Sequence, residues 1–347
     1  RVDIATNELH WSDQVFAIAE GQSHIYQVLN GKLHIFDPVE EAYTAAGADA
    51  TVIVNAIGFT QQDNLIYGIA VRDGVDSLGN AVSKADLVMY DAAGDAYRIG
   101  ETPYRSWTAD IDANGDLWAF HSSMDRVTRI DLDQFDSEGS PVYQTLQLPK
   151  EMVTDQVWDV GFDAATDTFY GVVRPNGAGQ DAKLFRIDIS AVADGGEPAF
   201  STSPIVGTQV DDTLLDGVPA ITFGAFVVDG DGNLYAGGNG GDHDMDSSTG
   251  TSGGIYKVIV DPDTGETILE LVADAPKAYS NDGAVDPRTM DPFTEKDTYA
   301  NVLIRSPEVV ETPDAATSYD ATIHAGADID FVYGGFGEDL IIGAERG

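Results

Sequence analysis

The sequence contains no cysteine and few positive charges. Without cysteine, none of the 347 residues can form a disulfide, a thiolate nucleophile or a cysteine zinc site. Only 18 lysines and arginines stand against 59 aspartates and glutamates, which gives a formal net charge of -41. Such a surface repels phosphates and anionic headgroups, so we expect neither nucleic acid nor a membrane surface as a partner.

Long apolar runs and common catalytic motifs are also missing. No apolar stretch is long enough to cross a bilayer, which predicts a chain without a membrane span. Neither G-x-S-x-G nor G-x-x-x-x-G-K-[ST] occurs, so serine hydrolase and nucleotide-binding functions have no support. The large negative charge opposes compaction unless cations screen it, and this favours a saline or calcium-rich medium.

What the sequence does contain is a β-repeat. Short alternating apolar segments are separated by turns rich in Asp, Asn and Gly, and helical periodicity is almost absent. An aromatic residue followed by a small one recurs at intervals of about 51, 51, 52 and 65 residues. These pairs are Phe16-Ala17, Tyr67-Gly68, Trp118-Ala119, Tyr170-Gly171 and Tyr235-Ala236. A period near 50 predicts an all-β fold, a β-propeller whose second strands carry these pairs.

The ends of the repeat region complement each other. Third strands are predicted at residues 25–28, 87–91, 127–131, 184–188 and 255–258. Residues 281–287 resemble an inner strand with no further strand behind it, whereas the first unit lacks an inner strand. We therefore predict that both ends share one blade and close a ring over residues 1–291. The expected number is about five blades, or six if 188–219 or the termini contain another.

Residues 320–347 follow a predicted linker at 292–319 and contain a second repeat. Residues 334–342 match the nonapeptide G-G-x-G-x-D-x-U-x at all five specified positions, where U is a large apolar residue. Residues 325–333 keep one Gly, the Asp and the apolar position. The apolar residues Ile323, Val332 and Ile341 are nine residues apart, which predicts the apolar spine of a parallel β-roll.

These nonapeptides resemble those of RTX (repeats-in-toxin, hemolysin-type) proteins, a family of type I secreted bacterial adhesins, toxins and hydrolases. The resemblance covers about the last thirty residues and implies an extracellular, cell-surface protein that folds on Ca²⁺. It implies carboxylate ligands from Asp330 and Asp339 and further ligands from Gly326, Asp328, Gly335 and Gly337. The alternative is a glycine-rich hairpin.

Weaker candidate sites lie in the propeller. Strand alignment places several residues near one mouth of the central channel, namely Asn55, Ser106, Trp158, Asp159, Asn281 and Asp282. A glycine-rich insertion offers Asp242, His243, Asp244 and Asp246 for a cation, with a solvated loop as the alternative. Residues 110–115 match the start of an EF-hand loop but have His121 at its twelfth position, so we predict a hairpin there.

Two further resemblances bear on function. Residues 281–287 are similar to the N-D-G-x-x-D-P segment of gluconolactonase-type propellers, which implies a metal-dependent hydrolase, although no matching inner-strand glutamate is present. The blade pattern as a whole resembles uncharacterised propeller domains of large bacterial surface proteins. We expect a secreted, calcium-binding, adhesin-like module that binds a glycan, a cell-surface protein or copies of itself. The alternatives are a lactonase or phosphotriesterase and a structural subunit of a surface layer or filament.

Overall fold

The structure, a computed structural model, describes most of the repeat region and four short strands beyond it. The described residues are 15, 17–18, 24–37, 42–46, 50–137, 139–150, 157–211, 213–241, 245, 248, 253–261, 264–289, 302–304, 322–324, 332–334 and 340–342. Strands dominate these ranges, and a short 3-10 helix covers Val192–Asp194. None of the helices in these ranges is long and apolar enough to cross a membrane.

Five groups of four strands form the propeller. Each group is given from its innermost strand outward. The first two groups are β4 (Ile53–Phe59), β5 (Ile66–Arg72), β8 (Asp86–Tyr90) and β9 (Ala96–Glu101), then β10 (Ser106–Ile111), β11 (Asp116–His121), β12 (Arg126–Phe135) and β13 (Pro141–Gln147). The other three are β14 (Gly161–Asp163), β15 (Thr168–Val173), β16 (Ala182–Asp188) and β17 (Ala199–Val210), then β19 (Phe223–Val228), β20 (Leu234–Gly238), β21 (Gly254–Val260) and β22 (Thr267–Asp274), and last β23 (Gly283–Val285), β1 (Ile25–Leu29), β2 (Lys32–Asp37) and β3 (Ala42–Ala45).

Three short strands and one unusual pairing complete the sheets. The strands β6 (Gly74–Val75) and β7 (Ala81–Val82) form a small hairpin between β5 and β8. The strand β18 (Thr213–Asp216) folds back on β17. The outer strands β17 and β22 pair in parallel, so the third and fourth groups named above join into one sheet.

The ring is closed by strands from both ends of the propeller. Strand β23 pairs antiparallel with β1, with Ala284 opposite Tyr26. The innermost strands contact one another in the cyclic order β4, β10, β14, β19, β23 and back to β4. This confirms the predicted propeller and its closure by the two ends.

The position of residues 25–28 in the closing blade differs from the prediction. The sequence predicted a third strand there, but β1 is the second strand of its group because β23 supplies the innermost one. Tyr26 therefore takes the position that Tyr67 and Trp118 hold in their own groups. Phe16, the predicted aromatic of this blade, lies outside the described residues.

The recurring turn and the recurring aromatic residue belong to one structural unit. Asp112 accepts hydrogen bonds from the backbone N–H groups of Asn114 at 2.9 Å and Asp116 at 3.0 Å. Its other oxygen accepts the indole N–H of the fully buried Trp118 at 2.9 Å. The carboxylate is thus used by its own hairpin, which confirms a hairpin rather than an EF-hand at residues 110–115.

The last four strands form two pairs. Strand β24 (Val302–Ile304), which lies within the predicted linker, pairs antiparallel with β26 (Val332–Gly334). Strand β25 (Thr322–His324) pairs in parallel with β27 (Leu340–Ile342). The register sets Ile323 opposite Ile341. The residues between these strands lie outside the described ones.

Candidate functional site

One position recurs within or just before the innermost strand of every blade, and we assign it to one mouth of the channel. The second-strand aromatics Tyr67, Trp118, Tyr170, Tyr235 and Tyr26 pair with Gly58, Asp110, Gly161, Val227 and Ala284. Counting three residues back along each innermost strand gives an equivalent set, which we call the mouth ring: Asn55, Trp107, Trp158, Gly224 and Asn281. Its members are of two chemical kinds, aromatic and amide, with one glycine.

The aromatic half of the mouth ring belongs to neighbouring blades. Thr108 donates its hydroxyl to the backbone oxygen of Trp158 at 2.9 Å, which joins the two blades here. Trp158 is 41% exposed. Trp107 is partly exposed, and the Arg105 guanidinium lies 5.1 Å from its ring centre. Trp107 and Trp158 are thus two partly exposed aromatic side chains at equivalent positions of neighbouring blades.

Trp107 was missed by the sequence analysis, which placed Ser106 at the mouth. A β-bulge lies between Ser106 and Thr108, and it inserts Trp107 into the position that Ser106 would otherwise fill. Ser106 itself is buried. A bulge of this kind leaves no clear trace in the alternation of apolar and polar residues, so strand alignment alone does not distinguish Ser106 from Trp107.

The amide half is a small polar cradle over two glycines. A Cβ at Gly224 would collide with Asn281 Oδ1 and lie 2.9 Å from Asn239 Nδ2. A Cβ at Gly237 would lie 3.1 Å from the Nε2 atom of Gln27, and 3.4 Å from Asn281 Nδ2. These glycines therefore make room for three amide side chains, which we call the amide cradle: Gln27, Asn239 and Asn281.

Each amide of the cradle has an unsatisfied oxygen. Gln27 Oε1, Asn239 Oδ1 and Asn281 Oδ1 are buried and have no hydrogen-bond partner within the described part of the chain. Asn55 differs, because its oxygen accepts the N–H of Ala56 at 3.1 Å and its Nδ2 donates to the Ser280 hydroxyl at 3.3 Å. Buried polar atoms in native proteins normally have partners, so the cradle is suited to a polar ligand.

A layer of buried aspartates lies beneath the mouth ring and joins neighbouring blades. Asp282 accepts the N–H groups of Ala56 at 2.9 Å and Ile57 at 3.0 Å, one on each oxygen. Asp159 Oδ2 accepts those of Phe226 at 2.7 Å and Gly283 at 3.2 Å. Its Oδ1 has no partner among the described residues.

Asp110, a partly exposed residue, extends this layer to a third blade. Its Oδ2 accepts the N–H of Phe162 in β14 at 2.7 Å, and its Oδ1 accepts the N–H of Ile111 at 2.8 Å. Asp110 thus links β10 to β14, Asp159 links the start of the β14 blade to β19 and β23, and Asp282 links the start of the β23 blade to β4. The layer holds the blades together as much as it adds polarity to the channel.

Burial sets the protonation of these aspartates. It raises the pKa of Asp110 to about 7, against the opposing effect of its two N–H donors. The pKa of Asp159 lies well above its ordinary value, first because of burial and then because of the Asp282 charge. Burial is also the main reason why the pKa of Asp282 is raised, with a smaller contribution from the Asp110 charge. Loss of any one charge therefore eases ionisation of its neighbour.

The remaining predicted ligands cannot be placed. Gly326, Asp328, Asp330, Gly335, Gly337 and Asp339 lie outside the described residues, as do Asp242, His243, Asp244 and Asp246. The insertion that carries the last four begins at the amide cradle, where Asn239 N–H donates to Thr222 O at 2.7 Å and Gly240 N–H to Ala278 O at 3.2 Å. Within the described ranges, no group of three or more His, Asp or Glu side chains is arranged to hold a metal ion.

Solved structures with propeller folds are similar to this chain over most of its length, at low identity. A Bacteroides thetaiotaomicron protein of unknown function is 13% identical, with 79% of this chain and 67% of that chain covered and a TM-score of 0.40. The periplasmic gluconolactonase of Pseudomonas aeruginosa is 12% identical (73% and 83% covered, TM-score 0.36). Virginiamycin B lyase of Staphylococcus aureus is 10% identical (74% and 69%, TM-score 0.35).

Sequence comparison gives one family. No curated protein sequence matches the chain. The family described as "Repeat of unknown function (DUF6923)" matches residues 34–288, which include all the propeller strands from β3 to β23. This match spans well over half of the sequence, so the chain belongs to that family.

Proposed function

We propose that this protein is an extracellular binding module, in which the propeller binds a ligand at its mouth and the C-terminal repeats fold on calcium. The observation that carries the calcium part is the parallel pairing of β25 with β27. Ile323 and Ile341 are opposite each other in that pairing, and they are separated by two nonapeptides. Alternate repeats of a β-roll stack in this way.

The donor set in the repeats is suited to calcium. Carboxylates from Asp330 and Asp339 and backbone carbonyls of the intervening glycines are hard oxygen ligands, which Ca²⁺ prefers. A cation that binds only the folded state stabilises it in proportion to the logarithm of its concentration. Millimolar calcium outside a cell would therefore fold repeats that stay loose inside it, which is consistent with secretion before folding.

The test is a calcium titration of the intact chain and of a chain truncated after Thr312, followed by circular dichroism and metal analysis. We expect the intact chain to bind calcium and to gain β signal that the truncated chain lacks. Asp339→Ala should weaken calcium binding, whereas Asp231→Ala, in an exposed propeller turn, serves as the matched control. Equal calcium binding by intact and truncated chains would contradict the proposal and move the metal sites into the propeller.

A metal-dependent hydrolase is the second candidate, and one observation favours it. Asp159 Oδ1 and Asn281 Oδ1 are buried oxygens without partners among the described residues, as a metal ligand would be. Asp282, in contrast, has both oxygens occupied by backbone N–H groups. Turnover of a lactone or phosphotriester by the purified chain, abolished by Asn281→Ala, would support this candidate, and absence of turnover with added divalent metals would count against it.

A further inference from the structure

The two halves of the mouth ring differ in the ligand groups that they can contact. Trp107 and Trp158 offer exposed aromatic surface, whereas the amide cradle offers buried polar atoms around Gly224 and Gly237. We propose that the mouth ring and amide cradle bind a neutral saccharide, stacked on the tryptophans and hydrogen-bonded to the amides. This inference rests on the proposed binding function and names its ligand class.

The cradle presents donors and acceptors at the same points. A Cβ at Gly224 would meet both an Asn281 oxygen and the Asn239 NH₂ group, and a Cβ at Gly237 would meet the NH₂ groups of Gln27 and Asn281. A hydroxyl group can donate to an amide oxygen and accept from an amide NH₂ at once, so it matches such a mixed set. A cation would need several oxygens and no N–H groups pointing at it, which makes the cradle a poor cation site.

The cost of an empty cradle also favours a hydroxyl ligand. Asn281 is 4% exposed and Gln27 is buried, yet neither oxygen has a partner among the described residues. Unsatisfied buried acceptors are costly, and a bound ligand that donates hydrogen bonds removes that cost. Several neighbouring hydroxyls on one ligand would satisfy several amides together. Adjacent hydroxyls of this kind are characteristic of saccharides.

The aromatic half of the mouth ring supplies an apolar surface, which the C–H face of a saccharide also needs. A sugar ring has an apolar C–H face and polar edges, and a tryptophan side chain is large, rigid and mostly apolar. Trp158 and Trp107 lie one blade and two blades away from Gly224 of the cradle, and the proposed ligand lies across the mouth between them. Tyr279, two residues before Asn281, is a further aromatic side chain that is 82% exposed. The net charge of -41 disfavours anionic glycans, which is why a neutral saccharide is proposed.

The experiment uses the full chain in calcium on an array of immobilised neutral and sialylated oligosaccharides, with dissociation constants then measured by calorimetry. We expect binding to neutral oligosaccharides, weakened at least tenfold by Trp158→Ala. Tyr143→Ala removes an aromatic side chain that is 49% exposed on the outer strand β13, and it should leave binding unchanged. Failure to bind any neutral oligosaccharide, or equal weakening by both variants, would overturn the proposal.

A second variant separates a saccharide from a cation. Asn281→Asp keeps the size of the side chain but replaces its NH₂ donor with a negatively charged oxygen. It should weaken saccharide binding at least tenfold, and tighter binding of calcium at the mouth would instead identify a cation site and refute the inference. The calcium-dependent β signal of the C-terminal repeats is recorded in the same samples. If that signal persists without saccharide binding, only this inference fails; if it is lost, the proposed function fails.

Discussion

Replacement of Asp282 should weaken the closed ring in a way that depends on pH. In Asp282→Ala the buried N–H groups of Ala56 and Ile57 lose their acceptors, at a cost of about 1–3 kcal/mol each, or about 2–6 kcal/mol together. Relief from burying the carboxyl group offsets part of this loss. The pKa of Asp282 is raised in the folded state, so its stabilising contribution is complete below about pH 4 and is lost as pH rises through the folded pKa. The loss should therefore be larger at pH 5 than at pH 8.

The assay is urea unfolding of the full chain at both pH values, followed by tryptophan fluorescence. Asp231→Ala removes an exposed aspartate from a propeller turn and should change the free energy of unfolding by less than about 0.5 kcal/mol. A difference below about 1 kcal/mol between wild type and Asp282→Ala at pH 5 would refute the assigned bridging role. A loss that grows from pH 5 to pH 8 would refute the raised pKa.

Three further predictions concern the same region. Because the pKa of Asp110 is about 7 when folded, the free energy of unfolding of the wild type should fall as pH rises from 4 to 7. Asp110→Asn cannot ionise at this position, so it should make this fall smaller, by up to about 4 kcal/mol. Gly224→Ala should displace the side chain of Asn281 and weaken ligand binding at the mouth, whereas Gly177→Ala, with neighbours at 3.6 Å, should not. Arg288→Ala should lower Tm by several degrees in calorimetry, because it removes an ion pair of 2.8 Å to a buried carboxylate.

The repeat and the closure of the ring could be predicted because each depends on local sequence. An aromatic residue on the second strand and an Asp-rich turn before it recur together, since Asp112 caps the turn and binds Trp118 in one unit. An inner strand with nothing behind it at one end, and a missing inner strand at the other, indicated the shared blade. Its strand order was wrong by one place because the repeat assigned Phe16-Ala17 to the second strand, whereas Tyr26 of β1 holds that position.

The candidate site could be predicted only in part. Asn55, Trp158 and Asn281 are candidates that follow from aligning inner strands, because the alternation along a strand fixes which residues share a level. Trp107 was missed because a bulge shifts that level. Gln27 and Asn239 were missed because neither lies on an innermost strand: Gln27 is on the second strand β1, and Asn239 is at the start of the insertion. The space that they occupy is left by Gly224 and Gly237, and the sequence does not show that these glycines lie next to them.

The way in which the ring is closed has a mechanical consequence. Chain tension applied beyond Thr289 reaches β23 first, and this three-residue strand is the one that completes the ring. The attachments that resist its removal include the ladder to β1, the Asp282 bonds to β4, the bond from Gly283 N–H to Asp159, and the bond from Gly230 N–H to Thr289 O at 2.8 Å. A pulling force along the strand must break them nearly together. If the C-terminal repeats serve as an anchor, a pulled propeller would resist up to a threshold and then open abruptly at this one blade.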